Sequence, residues 1–269
     1  MVVEPSTGWA ALRLGDVWKF RDLLASLAAR DVKLRYRQTA LGVAWVLLQP
    51  LLAAGAFSFV FGTVAKMDSG ATPYFVFSYC GLLGWNFFSG VLTRASGCLV
   101  QNSQLISKVY FPRIVLPLST VASVLLDFAV GFVLLIVLMV AYHVHPGIGL
   151  LVLPISIVGM LMLALGVGLY AGALATSYRD VQYVLPFLTQ VLLYASPVAY
   201  LTTKVPARFQ LAYHLNPMAG LIEAFRWALI GSADFQWRFF GYSMAFSAVM
   251  FIAGIFAFKR MERRFADVI

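Results

Sequence analysis

The chain has 269 residues, of which 61% are hydrophobic and only 12% charged, and its formal net charge is +9. Soluble domains carry about 25% charged and about 45–50% apolar residues, so composition excludes an ordinary soluble domain and names lipid as the solvent. The excess of Lys and Arg lies outside long apolar runs, which excludes a basic nucleic-acid-binding face and fits an orientation signal at a membrane.

The chain starts Met1-Val2-Val3-Glu4-Pro5, with no basic segment before a short apolar run, so no cleavable signal peptide is expected. Residues 16–37 place Val17, Phe20, Leu24, Leu27 and Ala28 three or four apart, the mark of one apolar helix face. Lys19, Arg21, Asp22, Arg30 and Lys33 interrupt the sequence, and Trp18 suits an interface. The segment is expected to lie as an amphipathic helix in the membrane plane, the alternative being a soluble helix packed on a partner.

A hydrocarbon core about 30 Å thick takes about 20 apolar residues as helix. Runs with almost no charge put spans near 38–65, 74–100, 114–141, 149–177, 181–203 and 237–258. His143-Val144-His145-Pro146-Gly147 supplies the break between the third and fourth, because Pro and Gly punctuate helices. Residues 204–236 are apolar and aromatic but carry Pro206, Asn216-Pro217 and Gly231. They read as a re-entrant pair of short helices, buried in protein or lining a cavity, against a plain amphipathic loop. The expected architecture is an all-α integral membrane protein forming a single domain over 1–269. It has about six transmembrane helices, an N-terminal interfacial helix and a re-entrant segment before the last span.

Lys and Arg in short loops set orientation. With the N-terminus in the cytoplasm, the inner side holds every basic residue up to Arg37, together with Lys108, Arg113, Arg179, Lys259, Arg260, Arg263 and Arg264. The outer side holds only Lys66, Lys204, Arg208, Arg226 and Arg238. Both termini are therefore expected inside.

No Gly-Lys dipeptide occurs, hence no GxxxxGK[ST] phosphate loop, and no His-Glu-x-x-His zinc pair. His143 and His145 have no acid or Cys nearby in sequence, so no metal is expected. Cys80 and Cys98, 18 residues apart, would stand about 27 Å apart on one helix, beyond disulfide reach of about 7 Å. Arg94 and Asp127 fall within spans, where charge is costly and functional by default. A structural ion pair between adjacent helices is expected, with a proton relay at Asp127 the alternative.

At 30–52 the chain reads RDVKLRYRQTALGVAWVLLQPLL, at 105–119 LISKVYFPRIVLPLS, at 178–200 YRDVQYVLPFLTQVLLYASPVAY and at 216–231 NPMAGLIEAFRWALIG. In this order the four segments resemble the membrane subunits of type-2 ABC exporters for polysaccharides and polyol phosphates, across nearly the whole chain. The likeness is greatest to O-antigen exporters, then to teichoic-acid exporters, and less to capsule exporters.

The resemblance implies a homodimer in the bacterial inner membrane joined to two separate ATPase subunits, which bind ATP and Mg. It implies a cargo of polysaccharide on a polyprenyl diphosphate lipid, contact with membrane lipid and no nucleic acid, and no enzyme activity or cofactor in this chain. It makes residues 102–113 the main ATPase-coupling helix, with Lys108, Tyr110, Phe111 and Arg113 at the contact and Arg179 and Asp180 at a shorter second one. Charge beside aromatic anchors suits a binding hot spot. Arg30, Lys33, Arg35 and Arg37 border the inner leaflet and are candidates for the lipid diphosphate, which Arg matches bidentately, as well as for ordinary anionic lipid. Trp45, Tyr79, Trp85, Phe88, Tyr194 and Tyr200 are candidate lining for a sugar path. Remaining alternatives are an exporter of small lipids or drugs on the same fold, a membrane glycan-assembly enzyme using Asp127 or Glu223, and a scaffold.

Overall fold

The computed structural model describes residues 18–36, 42–70, 72–147, 149–231 and 235–262, and all longer elements among them are helices. They are α1 (Arg21–Tyr36), α2 (Gly42–Phe57), α3 (Tyr74–Gln101), α4 (Ser103–Lys108) and α5 (Val115–Ala141). Then follow α6 (Val152–Ser177), α7 (Val181–Ala195), α8 (Ala207–Leu215), α9 (Pro217–Ile230) and α10 (Trp237–Glu262). Wide helical turns carry α2 on through Ser58–Val64. Five segments are long and apolar enough to cross a membrane: Trp45–Val64, Tyr74–Gln101, Val115–Ala141, Val152–Ser177 and Trp237–Glu262.

The fifth expected span differs. The apolar run 181–203 forms a helix only to Ala195, 15 residues or about 22 Å at 1.5 Å per residue. Pro197 is the physical reason. It disfavours helical backbone in the preceding Ser196, which is extended at φ −107° and ψ 154°.

Helix α3 is the hub, packed against α2, α5, α6 and α9 and buried along most of its length. Its neighbours' directions follow from contacts. Ala54 lies by Ser78 and Gly62 by Tyr74, so α2 is antiparallel to α3. The Tyr79 hydroxyl donates to the Gly131 carbonyl while Gly90 faces Val124, so α5 is antiparallel too. Gly84 faces Met160 and Gly172 faces Ser96, so α6 is parallel to α3. Gly159 meets Met244 and Gly166 meets Met250, so α10 is parallel as well. Two opposite ends result, one carrying α4 and the other α9.

Helix α1 covers the α4 end. Phe20, Leu23, Leu24 and Leu27 pack on Cys98, Leu99, Val115, Leu116 and Phe258, a side-on seat across the helix ends. Trp18 and Leu34 stay exposed. The face read from sequence is thus occupied by the chain itself; Val17 lies outside the described residues.

Candidate functional site

At the α4 end, α4 and Val109–Phe111 form the short link between α3 and α5. Lys108 and Tyr110 project outward, Tyr110 being 84% exposed. Phe111 and Arg113, expected to share that contact, instead anchor the link. Phe111 is buried with Ile114 and Val115. The Arg113 amide donates to Glu262 Oε1 at 3.0 Å and its Nη1 to the Glu262 carbonyl at 2.6 Å, joining the link to the end of α10. Tyr178, Arg179 and Asp180, between α6 and α7, are exposed at the same end.

The described residues of the inner-leaflet cluster, Arg30, Lys33 and Arg35, have different surroundings. Arg30 donates to Asn102 Oδ1 at 2.9 Å and pairs with Asp31 at 3.1 Å, tying α1 to the junction of α3 and α4. Lys33 is exposed. Arg37 lies outside the described residues. Arg35 stands about 140° around the helix from Arg30, five residues at 3.6 per turn, and turns to the bundle. Its Nη2 meets Asp127 Oδ2 at 2.7 Å, while Arg94 Nη2 reaches the same oxygen at 4.0 Å and its Nη1 donates to Ser123 Oγ at 2.9 Å. The expected Arg94–Asp127 pair is present at 4.0 Å, and Arg35, which was not foreseen there, joins it as the nearer cation of a three-part centre.

This centre borders a chamber of about 430 Å³ between α2, α3 and α5. Gln49 and Pro50 line it from α2, and Asn86, Ser89, Gly90 and Thr93 from α3. Pro50 has no N–H, so the Val46 carbonyl beside the chamber lacks its usual helical donor. The only exposed residues on α3 are Asn86, Thr93 and Gln101, all polar. With Ser89, Gly90, Arg94 and Gly97 they make a polar stripe down one side of an otherwise buried apolar helix. From Asn86 to Gln101 it runs about 22 Å at 1.5 Å per residue, ending at the α4 end.

At the opposite end, α8 and α9 form the segment expected to be re-entrant. Asn216 caps α9 by accepting from the Met218 amide at 3.0 Å, with Pro217 in the first turn, and Gly231 closes it at φ +65°. Nearly all of α9 is buried, Glu223 and Arg226 included. Arg226 Nη2 donates to the carbonyls of Pro197 at 2.7 Å and Val198 at 3.0 Å, and its guanidinium lies 3.8 Å from the Phe77 ring centre. Asn216 Nδ2 donates to Ser196 Oγ at 2.9 Å and the Tyr74 hydroxyl to the Ala199 carbonyl. Irregular backbone after α7 is thereby satisfied within protein, the condition for its lying at membrane depth. An apolar groove of about 880 Å³ runs between α7 and the bundle below α8, with Leu185, Leu192 and Met250 on its walls.

The aromatic path candidates separate. Tyr79 and Trp85 are buried in the core, so they pack helices rather than line a path. Phe88 is buried too but meets the groove, as does Tyr200, whose hydroxyl donates to the Tyr194 carbonyl at 2.9 Å. Trp45 and Tyr194 are exposed on α2 and α7. The aromatic reading passed over the stripe on α3, although polar residues three, four or seven apart within 86–101 were visible in the sequence. His143 and His145 join no metal-capable group of three ligands among the described residues, and both cysteines are buried free thiols.

The sequence model of the ABC-2 type transporter family matches residues 22–230. The chain is 27% identical over 250 residues to an O-antigen export system permease protein RfbA of Klebsiella pneumoniae, covering 92% of this chain and 95% of that protein. It is 30% identical over 213 residues to the RfbA of Myxococcus xanthus, covering 78% and 81%. The polysialic acid transport protein KpsM of Escherichia coli is 22% identical over 242 residues, covering 88% and 92%.

Proposed function

The chain belongs to the ABC-2 type transporter family, and from that premise we propose that it is the membrane subunit of an ATP-driven exporter of a lipid-linked surface polysaccharide of O-antigen type. The observation that carries the mechanism is the shared end of the bundle: the exposed α4 link, the exposed Tyr178–Asp180 turn and the basic α1 all lie there. The positive charge supports placing that end, with both termini, in the cytoplasm of a bacterial inner membrane. A separate ATPase pair binds ATP and Mg and seats Lys108 and Tyr110 in a groove, while Arg179 and Asp180 make the lesser contact. Phe111 and Arg113 carry its motion into α5 and α10, because they join the link to both.

Two copies form the passage. Exposed apolar residues cover α2 and α7, among them Leu52, Phe59, Tyr183, Phe187 and Val191. Those faces are the material for a second copy and for lipid. The cargo rides on a polyprenyl diphosphate, its polymer crossing while its tail stays in the bilayer. The chain itself catalyses nothing in this reading. A capsule-type glycan is the second reading, favoured by the KpsM likeness.

The test is copurification with a candidate ABC ATPase, with ATP turnover and surface glycan as readouts. Tyr110→Ala is expected to weaken ATPase binding by about 2 kcal/mol, the size of an aromatic hot spot, with normal membrane insertion. Lys108→Ala/Tyr110→Ala should abolish coupled turnover. A chain that binds no ATPase, or whose loss leaves surface glycan intact, would overturn the proposal.

A further inference from the structure

Three features compete as unexplained sites. The apolar groove under α8 would take any lipid tail, and its lining selects none. Arg226 Nη2 is committed to the backbone after α7. The chamber between α2, α3 and α5 is different, because its residues are costly where they lie.

A polar side chain facing lipid in the hydrocarbon region lacks hydrogen-bond partners, and intramembrane charge marks a site by default. Here three polar residues are the exposed positions of α3, the most buried of the five membrane-length helices, beside two arginines and an aspartate. A face of this kind is suited to a hydrophilic ligand. Charge narrows the class: among the described residues, two guanidiniums meet one carboxylate there, leaving one positive charge in excess. Arg35 and Arg94 keep 31% and 33% of their side-chain surface exposed, against 18% for Asp127. Each guanidinium has five N–H donors in a fixed fork, and Asp127 and Ser123 engage few of them. The remaining fork geometry matches a phosphate. Thr93, next to Arg94, and Ser89 and Asn86, five and eight residues before it on α3, offer both donors and acceptors, the chemistry of sugar hydroxyls.

We infer that this chamber is a binding site for the phosphate and first sugar of a lipid-linked glycan, with Arg35 and Arg94 on the phosphate, the α3 stripe on the sugar, and Asp127 as the anion the phosphate displaces. The inference rests on the exporter reading and deepens it. It moves lipid-head recognition from the surface of α1 into the bundle. Asp127 holds the arginines in place when the site is vacant, and its competition keeps binding weak enough for release.

The experiment uses the full chain in nanodiscs with its ATPase partner. Displacement of a fluorescent polyprenyl diphosphate bearing one sugar is measured with three competitors: unlabelled polyprenyl diphosphate, phosphatidylglycerol and inorganic diphosphate. The polyprenyl competitor should displace the probe at concentrations at least about tenfold lower than the other two, since only it supplies both tail and phosphate. Equal displacement by phosphatidylglycerol would overturn the carrier assignment in favour of a general lipid site, and equal displacement by inorganic diphosphate in favour of free phosphate. Arg94→Gln should weaken the probe about tenfold or more by removing a charge-assisted contact, and Asn86→Leu/Thr93→Val should weaken it severalfold with charge unchanged.

Asp127→Asn separates recognition from scaffolding. Removing the competing anion should tighten binding severalfold, whereas a purely structural centre would give loss or no change. If correctly inserted Asp127→Asn and Asn86→Leu/Thr93→Val both bind the probe as the unaltered chain does, the inference fails. Continued ATPase binding and surface glycan in those variants would leave the exporter reading standing.

Discussion

Replacing Arg226 by leucine is expected to lower stability by about 3 kcal/mol and to loosen the chain between Ser196 and Leu201. The guanidinium is almost fully buried, donates to two successive carbonyls and lies over Phe77. Each buried carbonyl left without a donor costs about 1–3 kcal/mol, and a desolvated cation–π contact contributes about 2 kcal/mol. Removing a charge that is costly to bury offsets part of that loss. Gly81→Ala should produce the same lesion from the opposite side. A Cβ there would stand 2.5 Å from Arg226 Nη2 and 2.7 Å from the Val198 carbonyl oxygen. Because both changes disturb one contact, the double variant should lose clearly less than the sum of the two. Thermal unfolding of the purified chain gives the stabilities, and hydrogen exchange at 196–201 locates the effect. Unchanged exchange there in Arg226→Leu would refute the anchor. The functional consequence is carried by α7, whose Ala195 end these bonds hold in place.

The second large effect is expected at the crossing of α6 and α10. A Cβ on Gly254 would lie 2.1 Å from the Gly166 carbonyl oxygen, and one on Gly166 would lie 2.5 Å from the Met250 carbonyl oxygen. Both obstacles are backbone, so no side chain can turn aside and the helices must separate. Small residues at such crossings let helices approach closely in lipid, where packing rather than the hydrophobic effect drives association. Gly254→Ala is expected to cost about 3 kcal/mol, at the upper part of the usual range for overpacking. Once one methyl has parted the helices, the other has room, so Gly166→Ala/Gly254→Ala should be little worse than Gly254→Ala alone. Gly241→Ala, on α10 with open space around it, is the control and should be neutral or slightly stabilising through helix propensity. Equal thermal midpoints for Gly241→Ala and Gly254→Ala would contradict the close crossing.

Much of the architecture was legible because lipid imposes a coarse code. Long apolar runs gave the helices, breaks at His143–Gly147 and Asn216–Pro217 gave their ends, and Lys and Arg gave an expected orientation. Pro197 was equally visible, yet an apolar run through residue 203 hid the stop at Ala195. Site residues fared less evenly. Lys108, Tyr110, Arg179 and Asp180 are exposed as a contact requires. Phe111 and Arg113, adjacent to them in sequence, point the other way into the core and to Glu262. Aromatic character could not tell Trp85 in the core from Trp45 on the surface, because a large ring serves packing and lining equally well.

By itself the sequence determined that the chain lives in lipid, where its helices run, which segments lie between them and which family they resemble. The tertiary structure alone decided which charges meet and which helix faces remain open. Arg35 reaches Asp127 more closely than Arg94 does because α1 folds back across the helix ends, a contact spanning 92 residues that no local pattern encodes. The polar stripe of α3 acquires meaning only once every other side of that helix is covered. Solvent preference is a property of single residues and short runs and can be read along the chain. Partnership and exposure belong to pairs of distant segments and exist only after packing.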